Sequence, residues 1–325
     1  MMYLQILGGF ILLLGGAEVM IRGAVAVSQW FGISTLVIGM TVIALGTSAP
    51  ELVVGLDAAL AGAPALALGN VVGSNIANIL LVLGAAALIK PILINPHGFT
   101  GDSAMLVGGS VVFVVICLFG VIAIPSGIVL LIGFAGFLYY SYWRETKGGD
   151  DTAGQMVEDI EEMPGLPKSL WLAWVMLLGG IAAVVWGADL LVDGGITLAR
   201  AFGVTEEVIG LTLVAFGTSL PELAASVVAA LRGHSDVALG NVVGSNLFNI
   251  LGIPGVVALV TTLPVPHQIA TFDLWIMIAV TVLLVPVLRR GWRLGRSEAV
   301  LFLVAYFAYI GAQTYGVSDL LALAG

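Results

Sequence analysis

Apolar residues run through this chain in long blocks that are broken by short polar punctuation, not by the helical or alternating periodicity of a half-buried surface. Ten blocks are long enough to cross a bilayer as helices. Their approximate limits are 3–21, 33–60, 65–88, 104–122, 124–142, 169–192, 206–231, 237–261, 270–288 and 297–316. The one extended polar stretch, 143–168, carries Gly148, Gly149 and Gly154 with seven acids, and lies between the fifth and sixth blocks. The expected fold is therefore an all-α polytopic membrane protein of ten transmembrane helices. Its divisions are a first five-helix repeat at 1–142, an acidic linker at 143–168 and a second five-helix repeat at 169–325.

Composition agrees. Of 325 residues, 60% are hydrophobic and only 10% charged, with a mean hydropathy of +1.12. Eleven basic residues against twenty acids give a net charge of −9, which excludes a nucleic-acid partner, and the lone Cys117 excludes a disulfide scaffold. With the N-terminus outside, ten of the eleven basic residues fall in inner loops and only Arg200 falls outside. Both termini are thus expected outside, with the 143–168 loop in the cytoplasm.

The chain also repeats itself. Thr41–Leu80 and Thr212–Leu251 align without a gap at an offset of 171, with 24 identities in 40 positions. An odd number of spans per half inverts the second half in the membrane, as in many secondary transporters, where duplicated sites meet near the bilayer midplane.

The duplicated positions carry the chemistry. Glu51 and Glu222 are equivalent and lie inside the second and seventh blocks. A carboxylate at mid-bilayer is costly, and no Lys or Arg lies at that depth, so protons or bound cations must neutralise the pair. Thr47 and Ser48 precede Glu51 by four and three residues, as Thr218 and Ser219 precede Glu222, which places each set on one helix face. Pro50 and Pro221 next to the acids, after Gly46 and Gly217, predict a mid-helix break that frees backbone carbonyls, those of Ala44 and Ala215 among them. The second element, GNVVGSN at 69–75 and 240–246, adds Ser74 and Asn78 in one copy and Ser245 and Asn249 in the other, four apart in each. Its glycines predict a further break or a close helix contact. A set of oxygen donors without Cys or His suits hard cations, calcium with two carboxylates above all, and sodium on the same oxygens. Elsewhere, Glu18 and Arg22 read as an i,i+4 pair and Asp236 as a helix cap.

With Gly46-Thr47-Ser48-Ala49-Pro50-Glu51, Gly217-Thr218-Ser219-Leu220-Pro221-Glu222 and the two GNVVGSN runs in place, the chain resembles the cation/calcium exchanger superfamily, and within it the prokaryotic sodium/calcium exchangers. The resemblance implies a secondary active antiporter of the inner membrane that moves sodium inward and calcium outward by alternating access at one shared site. It implies Glu51 and Glu222 as central ligands, completed by Thr47, Ser48, Ser74, Asn78, Thr218, Ser219 and Ser245. Asn249 stands where many relatives carry Asp, which implies weak or absent potassium dependence. A proton/calcium antiporter and a cation channel are the alternative readings. No HExxH, P-loop or G-x-S-x-G element is present, so neither an enzyme nor a cofactor is expected. The expected partners are the two ions and the lipid bilayer, with no obligatory protein partner.

Overall fold

The computed structural model describes residues 2–94, 96–147, 166–202 and 215–314. Most of the acidic linker and the approach to the second GTS motif, residues 203–214, lie outside the described residues. In chain order the helices are α1 (Met2–Phe31), α2 (Thr35–Thr47), α3 (Ala49–Leu60), α4 (Pro64–Ile89), α5 (Pro96–Leu118) and α6 (Ile124–Lys147). There follow α7 (Leu170–Ala201), α8 (Ala215–Gly217), α9 (Leu220–Leu231), α10 (Ser235–Val260), α11 (Ile269–Arg289) and α12 (Arg296–Thr314). Four two-residue strands lie between them: β1 (Ile92–Leu93), β2 (Val121–Ile122), β3 (Leu263–Pro264) and β4 (Arg293–Leu294).

Among the described residues, seven helices are long and apolar enough to cross a membrane, or eight if α2 and α3 are one interrupted span. The ten expected spans are therefore met only in part. The expected span 206–231 is represented by α8 and the 12-residue α9, and its first part, 206–214, lies outside the described residues. The expected span 297–316 is the 19-residue α12. The first and sixth spans are longer than hydropathy suggests, at 30 and 32 residues, since α1 continues through Glu18 and Arg22 to Phe31. Those charges do not end the helix because they are paired. Arg22 donates to Glu18 Oε1 at 2.7 Å, and Arg232, in the turn after α9, donates to Glu18 Oε2 at 2.7 Å.

The chain divides into two compact units, Met1–Pro50 with Leu138–Gly244 and Glu51–Phe137 with Ser245–Gly325. Each draws on both sequence halves.

In the first unit α1 and α7 pack antiparallel along most of their lengths. The cause is a seam of glycines seven apart: Gly9, Gly16 and Gly23 on α1, and Gly180, Gly187 and Gly194 on α7. The two sets are related by the same offset of 171. A Cβ added at Gly9 would lie 2.8 Å from the carbonyl oxygen of Gly187, and one at Gly180 would lie 2.5 Å from the backbone nitrogen of Met20. Backbones this close gain dispersion contacts that lipid cannot match, which is how small residues drive helix association in a membrane. The same device seats α10 on α2, where a Cβ at Gly240 would lie 2.5 Å from the Leu36 oxygen and one at Gly244 would collide with Met40. Gly240 and Gly244 thus make the close contact expected of them. A Cβ added at Gly69 or Gly73 would meet no described atom of another element within 4 Å, and α4 runs through both as unbroken helix. The repeat equivalents of Leu36 and Met40, residues 207 and 211, lie outside the described residues.

In the second unit α12 packs on the second half of α4 and α11 packs on α5. Two antiparallel clips tie the loops. β1 pairs with β4, and β2 with β3. β3 is the repeat equivalent of β1, so each clip joins one loop from each half, in the manner of an internal two-fold. Asp236 lies in the first turn of α10, which begins at Ser235, so it is a first-turn acid and not the cap. An anion there still faces the positive end of the helix.

Candidate cation site

Both GTS-x-PE copies break their helix at the same place. Ser48 leaves the helix at φ −90°, ψ 9°, and Ser219 at φ −87°, ψ 0°. A new helix starts at once, with Pro50 in the first turn of α3 and Pro221 in the first turn of α9. The expected break is thus present, but the prolines open the helix that follows it and do not stand in a helix interior. They occupy the one part of a helix that needs no proline N–H, and their fixed φ favours the restart. Glu51 and Glu222 consequently sit in first turns, where unpaired backbone N–H groups and the helix dipole favour a negative charge. That offsets part of the cost of a fully buried carboxylate. Thr47, Ser48, Ser74, Asn78, Ser219, Ser245 and Asn249 are buried as well, Thr218 is half-buried, and Ala215 opens α8.

In the first unit the copies interlock. The Ser48 hydroxyl donates to Glu222 Oε1 at 2.7 Å. The Thr47 hydroxyl donates to Asn241 Oδ1 at 3.2 Å, and the Asn241 amide nitrogen donates to the Ser226 hydroxyl at 3.1 Å and to the Glu222 backbone oxygen at 3.3 Å. The Ala44 carbonyl accepts from the Ser48 backbone N–H at 3.0 Å.

In the second unit, which begins with Glu51, the other element of the motif interlocks likewise. The Asn78 amide donates to Asn246 Oδ1 at 3.0 Å, and the Asn246 amide donates to the Asn75 carbonyl at 3.3 Å. Asn78 opens a π-helical turn, Asn78–Val82, and Asn249 lies in another, Phe248–Gly252. Such turns free backbone groups from the regular ladder and recur at functional sites.

Sequence reasoning missed Asn75, Ser226, Asn241 and Asn246. Three of them stand in the duplicated GNVVGSN run, so the signal was present. A Ser or Asn in a span reads by default as an interhelical hydrogen bond, and Ser226, Asn241 and Asn246 make one, whereas the Asn75 amide donates within its own helix to the Val71 carbonyl at 2.7 Å.

The donors fit a cation. Ser219 Oγ, Ser245 Oγ, Thr218 Oγ1, Asn78 Oδ1 and Asn249 Oδ1 are buried and have no hydrogen-bond partner among the described residues. Buried polar atoms are ordinarily satisfied. Neutral oxygens left open in this way are what a hard cation needs to replace its water shell. Among the described residues no three His, Cys, Asp or Glu side chains form a metal-binding group.

A family profile described as "Sodium/calcium exchanger protein" matches residues 1–143 and 172–315. The chain is 38% identical to the putative antiporter CaxA of Alkalimonas amylolytica over 94% of this chain and 96% of that one. It is 31% identical to the sodium/calcium exchanger MaX1 of Methanosarcina acetivorans over 96% of this chain and 98% of that one. Among solved structures it superposes on the sodium-calcium exchanger NCX_Mj, soaked with sodium and calcium, with a TM-score of 0.82, 32% identity and coverage of 96% of this chain and 98% of that one. The protein is an integral membrane protein, and it belongs to the sodium/calcium exchanger family.

Proposed function

We propose that this protein is a secondary antiporter that exchanges sodium for calcium by alternating access at one shared site. Glu51 and Glu222 are its carboxylates. Thr47, Ser48, Ser74, Asn78, Thr218, Ser219, Ser245 and Asn249 supply neutral oxygens, and the Ala44 and Ala215 carbonyls supply backbone oxygens. Two carboxylates balance one calcium, and sodium competes for the same oxygens, which is sufficient for exchange. In this reading ten spans cross an inner membrane with both termini outside and the 143–168 loop in the cytoplasm, on the strength of the basic residues in the inner loops. The observation that carries the reading is the buried Ser48–Glu222 hydrogen bond, which joins the two motif copies at a carboxylate.

The test is calcium uptake by proteoliposomes loaded with sodium and diluted into sodium-free buffer, beside a set given only a proton gradient. Uptake that requires the sodium gradient is expected. Uptake driven by protons alone would replace sodium as the coupling ion, and uptake without any gradient would describe a channel.

A further inference from the structure

We infer that Asn241 and Ser226 are positioning residues that fix the direction of the Thr47 hydroxyl. The inference rests on the site proposed above. It starts from the Glu222 backbone oxygen, which can only accept. The side-chain nitrogen of Asn241 must therefore face it, as it does at 3.3 Å. The second N–H of that amide goes to the Ser226 hydroxyl at 3.1 Å, so both of its hydrogens are committed. The amide is thereby locked with its oxygen toward Thr47, 3.2 Å away. An amide oxygen also only accepts, so it draws the one hydrogen of Thr47, whose other acceptor, the Ala44 carbonyl, is farther at 3.4 Å and already accepts from the Ser48 N–H. What remains on Thr47 is its lone pairs, the part of a hydroxyl that a cation binds. All four residues are completely buried, so water does not compete for these bonds.

The other half lacks the lock. The repeat equivalent of Ser226 is Gly55, which has no hydroxyl to offer. The equivalent of Asn241 is Asn70, whose side-chain nitrogen is buried with no hydrogen-bond partner among the described residues. The equivalent of Thr47 is Thr218, whose hydroxyl likewise has none. Thr47 is therefore held as a lone-pair donor by Asn241, itself held by Ser226 and the Glu222 backbone oxygen.

The experiment measures sodium-driven calcium uptake and equilibrium calcium binding for wild type, Ser226→Ala, Ser226→Gly and Ser226→Thr in the full chain. Loss of the hydroxyl should raise the KM and the Kd for calcium about three- to tenfold, the worth of one orienting hydrogen bond. The maximal rate should stay within about twofold, because the carboxylates are untouched, and Ser226→Thr should restore the wild-type KM because it keeps the oxygen. An unchanged KM in Ser226→Ala overturns the inference, as does an unchanged KM in Ser226→Gly if the alanine variant does not fold. An equal rise in Ser226→Thr also overturns it, since packing and not the hydroxyl would then be at work. Wild-type protein without sodium-driven flux would sink the exchanger reading instead, and the binding constants of the same variants would still decide the inference.

Discussion

Ser48 and Glu222 lie 174 positions apart, yet the hydroxyl of one donates to the carboxylate of the other at 2.7 Å in a fully buried setting. The bond does two things. It supplies a strong, charge-assisted partner to an acid that burial penalises. It also occupies Glu222 Oε1 with a hydrogen, an oxygen that the proposed function gives to the cation. Cation entry should therefore rotate the Ser48 hydroxyl and turn its lone pairs inward. Ser48→Ala removes both the partner and the ligand, and we expect a calcium affinity lower by roughly tenfold or more, as a hydrogen bond to a charged group is worth about 1.5–3 kcal/mol. Calcium titration of the purified variant checks this, and an affinity equal to wild type would remove Ser48 from the site.

Ligand binding should also register as stability. Calcium at ~100 times its dissociation constant should stabilise the wild-type fold by about 2.7 kcal/mol. Glu222→Gln should fold in its absence and gain nothing from its presence. Thermal unfolding of both proteins with and without calcium is the measurement. A calcium-induced shift that survives in Glu222→Gln would place the ion elsewhere.

The glycine seam predicts a position-dependent effect of one small substitution. Gly180 faces the backbone of Met20, whereas no described atom lies within 4 Å of a Cβ at the adjacent Gly179. Gly180→Val should therefore cost about 1–3 kcal/mol by overpacking, with transport impaired. Gly179→Val should be close to neutral. Unfolding of the two variants side by side decides it, and equal losses would argue against a close α1–α7 contact.

Much of the site is legible in the amino-acid sequence. The offset of 171 picks out the two acids, their hydroxyl neighbours and the break before each, because helix packing alone does not require a duplicated carboxylate inside an apolar block. Other features are not legible, for physical reasons. A hydropathy window weighs composition and not the direction of a side chain, so it ends the first span near residue 21 at a charged pair, where the helix continues to Phe31. It carries no sign that Arg232 arrives from another helix to complete that pair. The internal repeat also shows which residues are duplicated but not which ones touch. Thr47 meets Asn241 and Asn78 meets Asn246, neither of which is its repeat equivalent. The prolines mark the break correctly but not its form, because a Pro reads the same in sequence whether it kinks a helix or starts one.

Asn249 stands where its repeat equivalent is Asn78, so the second element of each motif ends in a neutral amide. Asn249→Asp would add a third ionisable oxygen pair among buried donors. We expect the variant to acquire proton or potassium sensitivity, read as the dependence of calcium uptake on pH and on potassium. An unchanged ion profile would contradict the role given to that amide.

The central claim is that Glu51 and Glu222 serve one cation. Equilibrium binding of radioactive calcium to purified wild type, Glu51→Gln and Glu222→Gln tests it most directly. A shared site predicts that either single substitution abolishes binding at concentrations that saturate the wild type. If each single variant instead keeps half of the wild-type capacity at unchanged affinity, the two acids hold separate ions and the account is wrong.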